Sequence, residues 1–146
     1  MHRGLSSVIW RIIGFLLFLF IVLITNLIAQ LLGNPTLLAI VGFINAHLGL
    51  ILIIAIFFLI ADIFWALGFP LDIPAPIFAA IGSVLLVRLA FLLLGFLDSL
   101  AQAGIGNILE IFALIAYVIV FFAVLIGGYI EIIARTTRRH ERRKAL

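Results

Sequence analysis

The sequence predicts an all-α membrane protein, a bundle of four transmembrane helices that forms a single domain over residues 1–146. Hydrophobic residues make up 67% of the chain and charged residues 10%, whereas a soluble domain is about half apolar and a quarter charged. Apolar runs longer than about 18 residues, the length that crosses a bilayer, recur along the chain. All nine Lys and Arg residues except Arg88 lie near the two ends.

The distribution of positive charge predicts the topology. Arg3 and Arg11 precede or begin the first apolar run, and the basic residues other than Arg88 that remain all follow position 134. Positive charge that flanks spanning segments is retained on the cytoplasmic side. We therefore expect both termini in the cytoplasm and an even number of spans, and four spans fit the length. The expected location is the cytoplasmic membrane of a prokaryote.

The first span is predicted at residues 8–32. This run is longer than the apolar region of a signal peptide, which has about 7 to 15 residues. Trp10 and Arg11 lie at its cytoplasmic edge, as is typical of an aromatic belt and of a cation that reaches toward the interface. The Gly-Asn-Pro sequence at 33–35 then predicts the end of one helix and the start of the next, because Gly suits the C′ position, Asn the N-cap and Pro the first helical position.

The apolar segment 35–67 is too long for one perpendicular crossing. As a continuous helix it would measure about 50 Å, against a hydrocarbon core of about 30 Å. We expect a break at residues 45–49, where polar residues and glycine cluster, so that span two covers about 46–67. Residues 35–45 would then form a short interfacial or re-entrant helix. A single tilted helix, or a span over 36–58, is the alternative.

The second half of the chain follows the same pattern. Residues 68–76 contain three of the four prolines and predict a turn rather than a helix. Span three is predicted at about 76–97, residues 98–107 form the second outer loop, and span four runs over about 108–134. A basic cytoplasmic tail, 135–146, follows and is expected to continue span four as a helix.

Arg88 is the residue in the predicted spans that most needs explanation. An arginine at the centre of a spanning helix costs about 2.5 to 3.5 kcal/mol on insertion scales, so we expect Arg88 to point toward other helices. Candidate partners are Asp62 and Glu110, each offset from Arg88 by about 10 Å along the helix axis. Such an intramembrane charge pair would serve either a proton or ion pathway or a structural or subunit contact. The contact is favoured, because a proton relay normally has more ionisable groups at membrane depth.

The basic tail shows the most regular pattern in the chain. Its arginines recur at i, i+3, i+4, i+7 and i+8, which places five guanidinium groups on one face of a helix. Each is worth about 1 kcal/mol near an anionic leaflet, so contact with acidic lipid headgroups is the favoured interpretation. Contact with a nucleic acid or another polyanion is possible but not favoured. The residues are Arg135, Arg138, Arg139, Arg142 and Arg143, followed by Lys144.

Two further patterns concern packing. Small residues spaced four apart, such as the pairs Gly42–Ala46 and Ala123–Gly127, predict helix faces that approach one another closely. Glu131 lies four residues before Arg135, the favourable order for an ion pair within a helix. The small residues favour a compact bundle and self-association, and the ion pair is expected at the membrane edge.

The sequence gives no indication of catalysis. The chain has no cysteine, and it lacks the spacings of a dinucleotide-binding loop, a nucleophile elbow, a zinc-protease helix and a phosphate-binding loop. We therefore expect a protein that is not an enzyme and that binds neither cofactor nor metal. His47 has no second histidine within the spans, so a haem held by two histidines of one chain is not expected.

The leading hypothesis is a non-enzymatic integral membrane protein that acts as an accessory, assembly or structural subunit. Its expected partners are anionic lipid headgroups and either further copies of itself or a larger membrane complex. The alternative is a small oligomeric transporter or channel for ions or protons, which would use Arg88 with Asp62 or Glu110. A further alternative is a holin-like pore or a protein of a membrane-containing virion.

Overall fold

The computed structural model is an all-helical chain with four long helices. It describes the backbone of residues 2–102, 104 and 106–144, and the side chains of residues 9–102, 104, 106 and 108–137. Within these ranges the chain forms no β-strand. The helices are α1 (His2–Leu32), α2 (Pro35–Leu67), α3 (Ala75–Ala101) and α4 (Gly106–Lys144).

Each helix contains a stretch that is long and apolar enough to cross a membrane. The prediction of an all-α chain with four candidate spans is therefore confirmed, and these spans indicate a membrane-embedded protein. In α4 the candidate span includes the first three residues of the basic tail, 135–137, and the same helix continues to Lys144. The four stretches are Ile9–Leu32, Pro35–Leu67, Ala75–Ala101 and Ile108–Thr137.

α2 corrects the sequence analysis. The structure has one continuous helix of 33 residues, with no break at 45–49 and no separate interfacial helix over 35–45. At 1.5 Å per residue α2 is about 50 Å long. A helix that exceeds the hydrocarbon thickness is accommodated by tilting or by extending into the interface. The second candidate span, Pro35–Leu67, therefore includes residues 35–45.

The polar residues that suggested the break in α2 are satisfied without one. Asn45 exchanges two hydrogen bonds with Asn26 of α1: its Nδ2 donates to the Asn26 Oδ1 at 2.7 Å and its Oδ1 accepts from the Asn26 Nδ2 at 3.2 Å. Nδ1 of His47 lies 2.8 Å from the carbonyl oxygen of Phe43, one turn earlier in the same helix. A polar side chain that is hydrogen-bonded within the folded chain can lie at membrane depth in a continuous helix.

The turn between α1 and α2 has the predicted chemistry. Gly33 adopts a φ of +61°, which ends α1 in the left-handed region. Oδ1 of Asn34 accepts hydrogen bonds from the backbone N–H groups of Thr36 and Leu37 at 2.9 and 3.2 Å. Pro35 occupies the first turn, where a missing N–H costs nothing. Residues 33–35 thus form the tight turn that joins α1 and α2 into a helical hairpin.

The four helices form an open bundle in which close backbone contacts join only consecutive helices of the described chain, while the Arg135 side chain of α4 reaches the Trp65 ring of α2. α1 contacts α2, α2 contacts α3 and α3 contacts α4, and no other pair brings described Cα atoms within 8 Å. Neighbours run antiparallel: the Phe43 ring stacks on Phe96 toward one end of α2 and α3, and Phe64 stacks on Phe78 toward the other. α1 therefore begins, and α4 ends, at the same end of the bundle, which we call the terminal end.

Two glycines mark the closest helix contacts. A Cβ atom added to Gly128 of α4 would lie only 2.7 Å from the Cβ of Pro76, which is fully buried on α3. A Cβ added to Gly82 would lie 3.3 Å from the Cβ of Phe57 on α2. Gly127, which the small-residue pattern indicated, has no such atom within 4 Å. The contact that the sequence assigned to Gly127 is therefore made by its neighbour.

The open arrangement leaves little protein interior. The buried apolar side chains are few and mostly small, while large aliphatic and aromatic residues are exposed on all four helices. Leu31, for example, is 90% exposed. Contiguous apolar surface of this extent is unstable in water and suits contact with lipid or with another protein. Examples of the small buried residues are Ala29, Ala61, Ala75, Ala80 and Ala113.

Candidate functional site

Arg88 lies at the midpoint of α3, which spans Ala75–Ala101. At 1.5 Å per residue it is about 20 Å from either end of the helix, so its Cα lies near the centre of any membrane that α3 crosses. The side chain is exposed in the single chain, and it lines a cleft between α3 and α4. Neighbouring helices of the same chain therefore do not cover Arg88.

The cleft beside Arg88 has a volume of about 450 Å³ and combines charged, aromatic and small residues. The rings of Phe91 and Tyr117 meet edge to face with their centroids 6.1 Å apart and join the two helices. Glu110 lies two turns from Tyr117 along α4, about 10 Å toward the other end of the bundle. Gly95 and Gly106 widen the cleft at that end because they have no side chain.

The structure brings Glu110, but not Asp62, to the same cleft as Arg88. In the part of the chain with described side chains there are two ion pairs, Arg11–Asp62 and Glu131–Arg135. Arg88 belongs to neither pair. The guanidinium therefore has no carboxylate of a described residue within 4 Å, although Glu110 shares its cleft.

Asp62 pairs with Arg11 of α1. The Arg11 Nε lies 2.7 Å from Oδ2 of Asp62, and the Arg11 Cζ lies 5.6 Å from the centroid of the Phe58 ring. The N–H does not point well at Oδ2, so the contact is an ion pair rather than a well-directed hydrogen bond. The Asp62 side chain is 17% exposed and that of Arg11 is 42% exposed. The pair joins α1 and α2 near the terminal end.

This role of Arg11 is not among the predictions from the sequence, although the sequence contains a signal for it. A two-residue turn at 33–34 places residues on α1 and α2 that are about equally distant from the turn at similar depths. Arg11 and Asp62 differ in that distance by about 9 Å, which the flexible arginine side chain spans. The prediction that Arg11 reaches toward the interface considered the bilayer and left out the facing helix.

The basic tail begins as predicted. Arg135 donates from Nε and Nη2 to Oε1 of Glu131, at 3.0 and 2.6 Å. α4 continues as a helix to Lys144, the geometry that the one-face arrangement of the arginines requires. Apart from Arg135, the tail residues assigned to headgroup contact have side chains outside the described residues: Arg138, Arg139, Arg142, Arg143 and Lys144.

The polar side chains described above hold helices together or line the α3–α4 cleft. No group of three or more His, Cys, Asp or Glu side chains that could hold a metal ion occurs in the described part of the chain. A single unpaired guanidinium beside a carboxylate can bind an anion or face a carboxylate of another chain. No protein-family model, no curated protein and no solved structure matches this chain, so its function has to be inferred from these helices and from this cleft.

Proposed function

We propose that the chain is a non-enzymatic integral membrane subunit that assembles through its exposed helix faces. In the assembly, an acidic or polar group of a second chain faces Arg88. The second chain is another copy of this protein or a subunit of a larger membrane complex. Both termini lie in the cytoplasm, where the basic tail rests on anionic headgroups.

The observation that carries this proposal is the unpaired state of Arg88 at the centre of α3. Insertion scales put arginine at a helix centre about 3 to 4 kcal/mol less favourable than leucine. No ion pair within the described chain offsets this cost. A contact with a second chain would offset it, and buried charged groups of this kind are best known for fixing the register and the specificity of helix assembly.

The open packing supports the same conclusion. Among the described residues, α1 packs along α2 alone, and α4 packs along α3 and touches α2 only through its terminal end, so much of the surface of both helices remains available to other proteins. Helices associate in membranes through close packing and polar contacts rather than through burial of apolar area from water. The exposed helix surfaces can supply the close packing, and Arg88 can supply the polar contact.

The test is site-specific photo-crosslinking of the full chain in its native membrane. A photoreactive amino acid at Leu92, which lines the cleft one turn from Arg88, is expected to crosslink to a second chain. Leu86 lies on the other side of α3 from Arg88 and provides the matched position. Arg88→Leu should abolish the crosslink from Leu92 and leave any crosslink from Leu86. Crosslinks from Leu92 to lipid alone, unchanged by Arg88→Leu, would refute the proposal.

A second candidate function has a specific observation in its favour. Arg88 and Glu110 line one cleft of about 450 Å³ together with Tyr117, which is the arrangement a small transporter or channel would use for an ion or a proton. In liposomes, such a protein would pass ions or protons. Arg88→Ala or Glu110→Gln would then each reduce the flux. Absence of any flux from the unmodified protein would reject this candidate and leave the first untouched.

A further inference from the structure

A second polar pocket lies at the terminal end, where α2 ends and α4 leaves its candidate span. It has a volume of about 260 Å³ and is lined by Trp65 and Phe69 and by Arg135 and Thr136 of α4. Asp72, from the turn between α2 and α3, lines the same pocket. A pocket of this size holds a small polar group rather than a single water molecule.

Asp72 is the unusual member of this pocket. Its backbone is fully used in the turn, since its N–H donates to the carbonyl of Gly68 at 3.2 Å and its carbonyl accepts from the N–H of Ala75 at 3.0 Å. The residue is only 5% exposed, yet its Oδ1 has no hydrogen-bond partner among the described residues. A buried carboxylate without a donor is costly, so a bound group that donates to it would be strongly favoured.

Arg135 gives the pocket its opposite charge. Its Cζ lies 4.9 Å from the centroid of the Trp65 ring, a cation–π contact that places the guanidinium beside Trp65. Nε and Nη2 donate to Glu131, and the Nη1 group carries two more N–H donors that an anion could use. Arg135 and Asp72 line the same pocket without forming an ion pair, so there is space between the two charges.

These features define the chemistry of a ligand. The buried Asp72 carboxylate favours a cationic donor. Glu131 neutralises the charge of Arg135, but the Nη1 donors of Arg135 can still bind an anionic oxygen of the same ligand. A quaternary ammonium has no N–H to donate to the Asp72 carboxylate, whereas a primary ammonium has three, so the cation that suits this pocket is a primary ammonium. The ligand is therefore a zwitterion with a primary amine and an anionic oxygen group.

The position of the pocket identifies the source of such a zwitterion. The candidate span of α2 ends at Leu67 and that of α4 ends at Thr137, so the pocket lies at the level where headgroups begin. We propose that this pocket binds the phosphoethanolamine headgroup of an aminophospholipid, with its ammonium on Asp72 and its phosphate on Arg135. This assignment does not depend on the role of Arg88.

The test uses the full chain in mild detergent and the fluorescence of Trp65. Trp10→Phe removes the other of the two tryptophans, so that Trp65 alone reports on the pocket. Short-chain phosphatidylethanolamine, its N,N-dimethyl derivative, phosphatidylcholine and water-soluble phosphoethanolamine are titrated separately. We expect phosphatidylethanolamine to bind about tenfold more tightly than phosphatidylcholine, with the dimethyl lipid between them, because each methyl group removes an N–H donor.

Three variants assign the contacts. Asp72→Asn should remove the preference for phosphatidylethanolamine, while Asp98→Asn, at the other end of α3, should keep it. Arg135→Gln should weaken the binding of both lipids, because both carry the phosphate. The comparison of lipids on the parent protein decides the proposal even where a variant does not fold.

Two results would overturn the proposal. Equal affinities for phosphatidylethanolamine and phosphatidylcholine, or a preference that survives Asp72→Asn, would show that Asp72 does not bind the ammonium. Phosphoethanolamine that binds as tightly as the intact lipid would show that the occupant is a soluble zwitterion. Either result leaves the crosslinking test at Leu92 unaffected.

Discussion

Removal of either member of the Arg11–Asp62 pair should destabilise the protein, but to different extents. Arg11→Gln leaves the Asp62 carboxylate, which is 17% exposed, facing the apolar side of α1 without a counter-charge. Asp62→Asn leaves Arg11, which is 42% exposed and has a flexible stem that can carry its charge toward the interface. It also keeps the Arg11 contact with the Phe58 ring at 5.6 Å.

The magnitudes follow from these exposures. Breaking a fully buried pair by removing one partner costs about 3 to 5 kcal/mol. Asp62 retains some exposure, so for Arg11→Gln we expect a loss of about 2 to 3 kcal/mol in the free energy of unfolding. For Asp62→Asn we expect about 1 kcal/mol, because the remaining charge can be hydrated. The double variant should cost less than the sum of the two, with a coupling of about 1 to 2 kcal/mol.

The assay is unfolding of the purified chain by sodium dodecyl sulfate in mixed micelles, followed by circular dichroism. The control is Gln30→Ala, at an exposed polar residue on α1, the helix that carries Arg11. It should change the free energy of unfolding by less than about 0.5 kcal/mol. A larger loss for Asp62→Asn than for Arg11→Gln would refute the reasoning from exposure. Additive losses within about 0.3 kcal/mol would show that the two charges do not interact.

Three further predictions follow from single contacts. Gly128→Ala should lower the free energy of unfolding by about 1 to 3 kcal/mol, because the added Cβ would lie 2.7 Å from the Cβ of Pro76 on α3. Gly127→Ala, which has open space around it, is the control and should be neutral. Equal effects of the two substitutions in thermal unfolding would contradict the contact. Asn45→Leu should lower the free energy of unfolding by about 1 kcal/mol, and Asn26→Leu added to it should lower it little further, because the two side chains bond to each other. A double variant that loses the sum of two independent effects would contradict this pairing. Arg88→Leu should improve membrane insertion of the α3 sequence by about 3 kcal/mol in a translocon assay, and no improvement would mean that α3 does not place Arg88 at its centre.

Helix ends were predictable where a single residue determines them locally. Asn34 caps α2 through its own side chain, and Gly33 adopts the positive φ that only a few residue types tolerate. The prolines around Pro74 likewise confined the next helix to begin at Ala75. These signals act within four residues of one another, so the sequence contains all the information that they require.

The course of α2 was not predictable in the same way. Asn45 and His47 look like breakers in the sequence because their partners cannot be seen there. One partner, Asn26, is on another helix, and the other is the carbonyl of Phe43 within α2 itself. Whether a polar residue ends a helix depends on whether the folded chain offers it a hydrogen bond. For Asn45, that hydrogen bond depends on the rotation of α1 about its axis.

Helix rotation also explains the remaining differences. The spacing of small residues indicated Gly127, while the close approach is at Gly128, a rotation of about 100° around α4. Asp62 was matched to Arg88 by depth alone, yet the structure directs Asp62 toward α1. Depth can be estimated from residue counts at 1.5 Å per residue, but the direction of a side chain around its helix cannot be read from the count.

The polar residues divide the four helices into two halves with different roles. In the α1–α2 hairpin, the polar side chains at membrane depth pair with one another. Asn26 and Asn45 are hydrogen-bonded toward one end of the hairpin, and Arg11 and Asp62 form an ion pair toward the other. Two such contacts fix the register of the hairpin without any help from a second chain. In the α3–α4 half, Arg88 lines an open cleft with no ion pair in the described chain. A charge that the bundle does not satisfy at membrane depth has to be satisfied from outside it, so α3 and α4 are the helices on which a partner should be sought first.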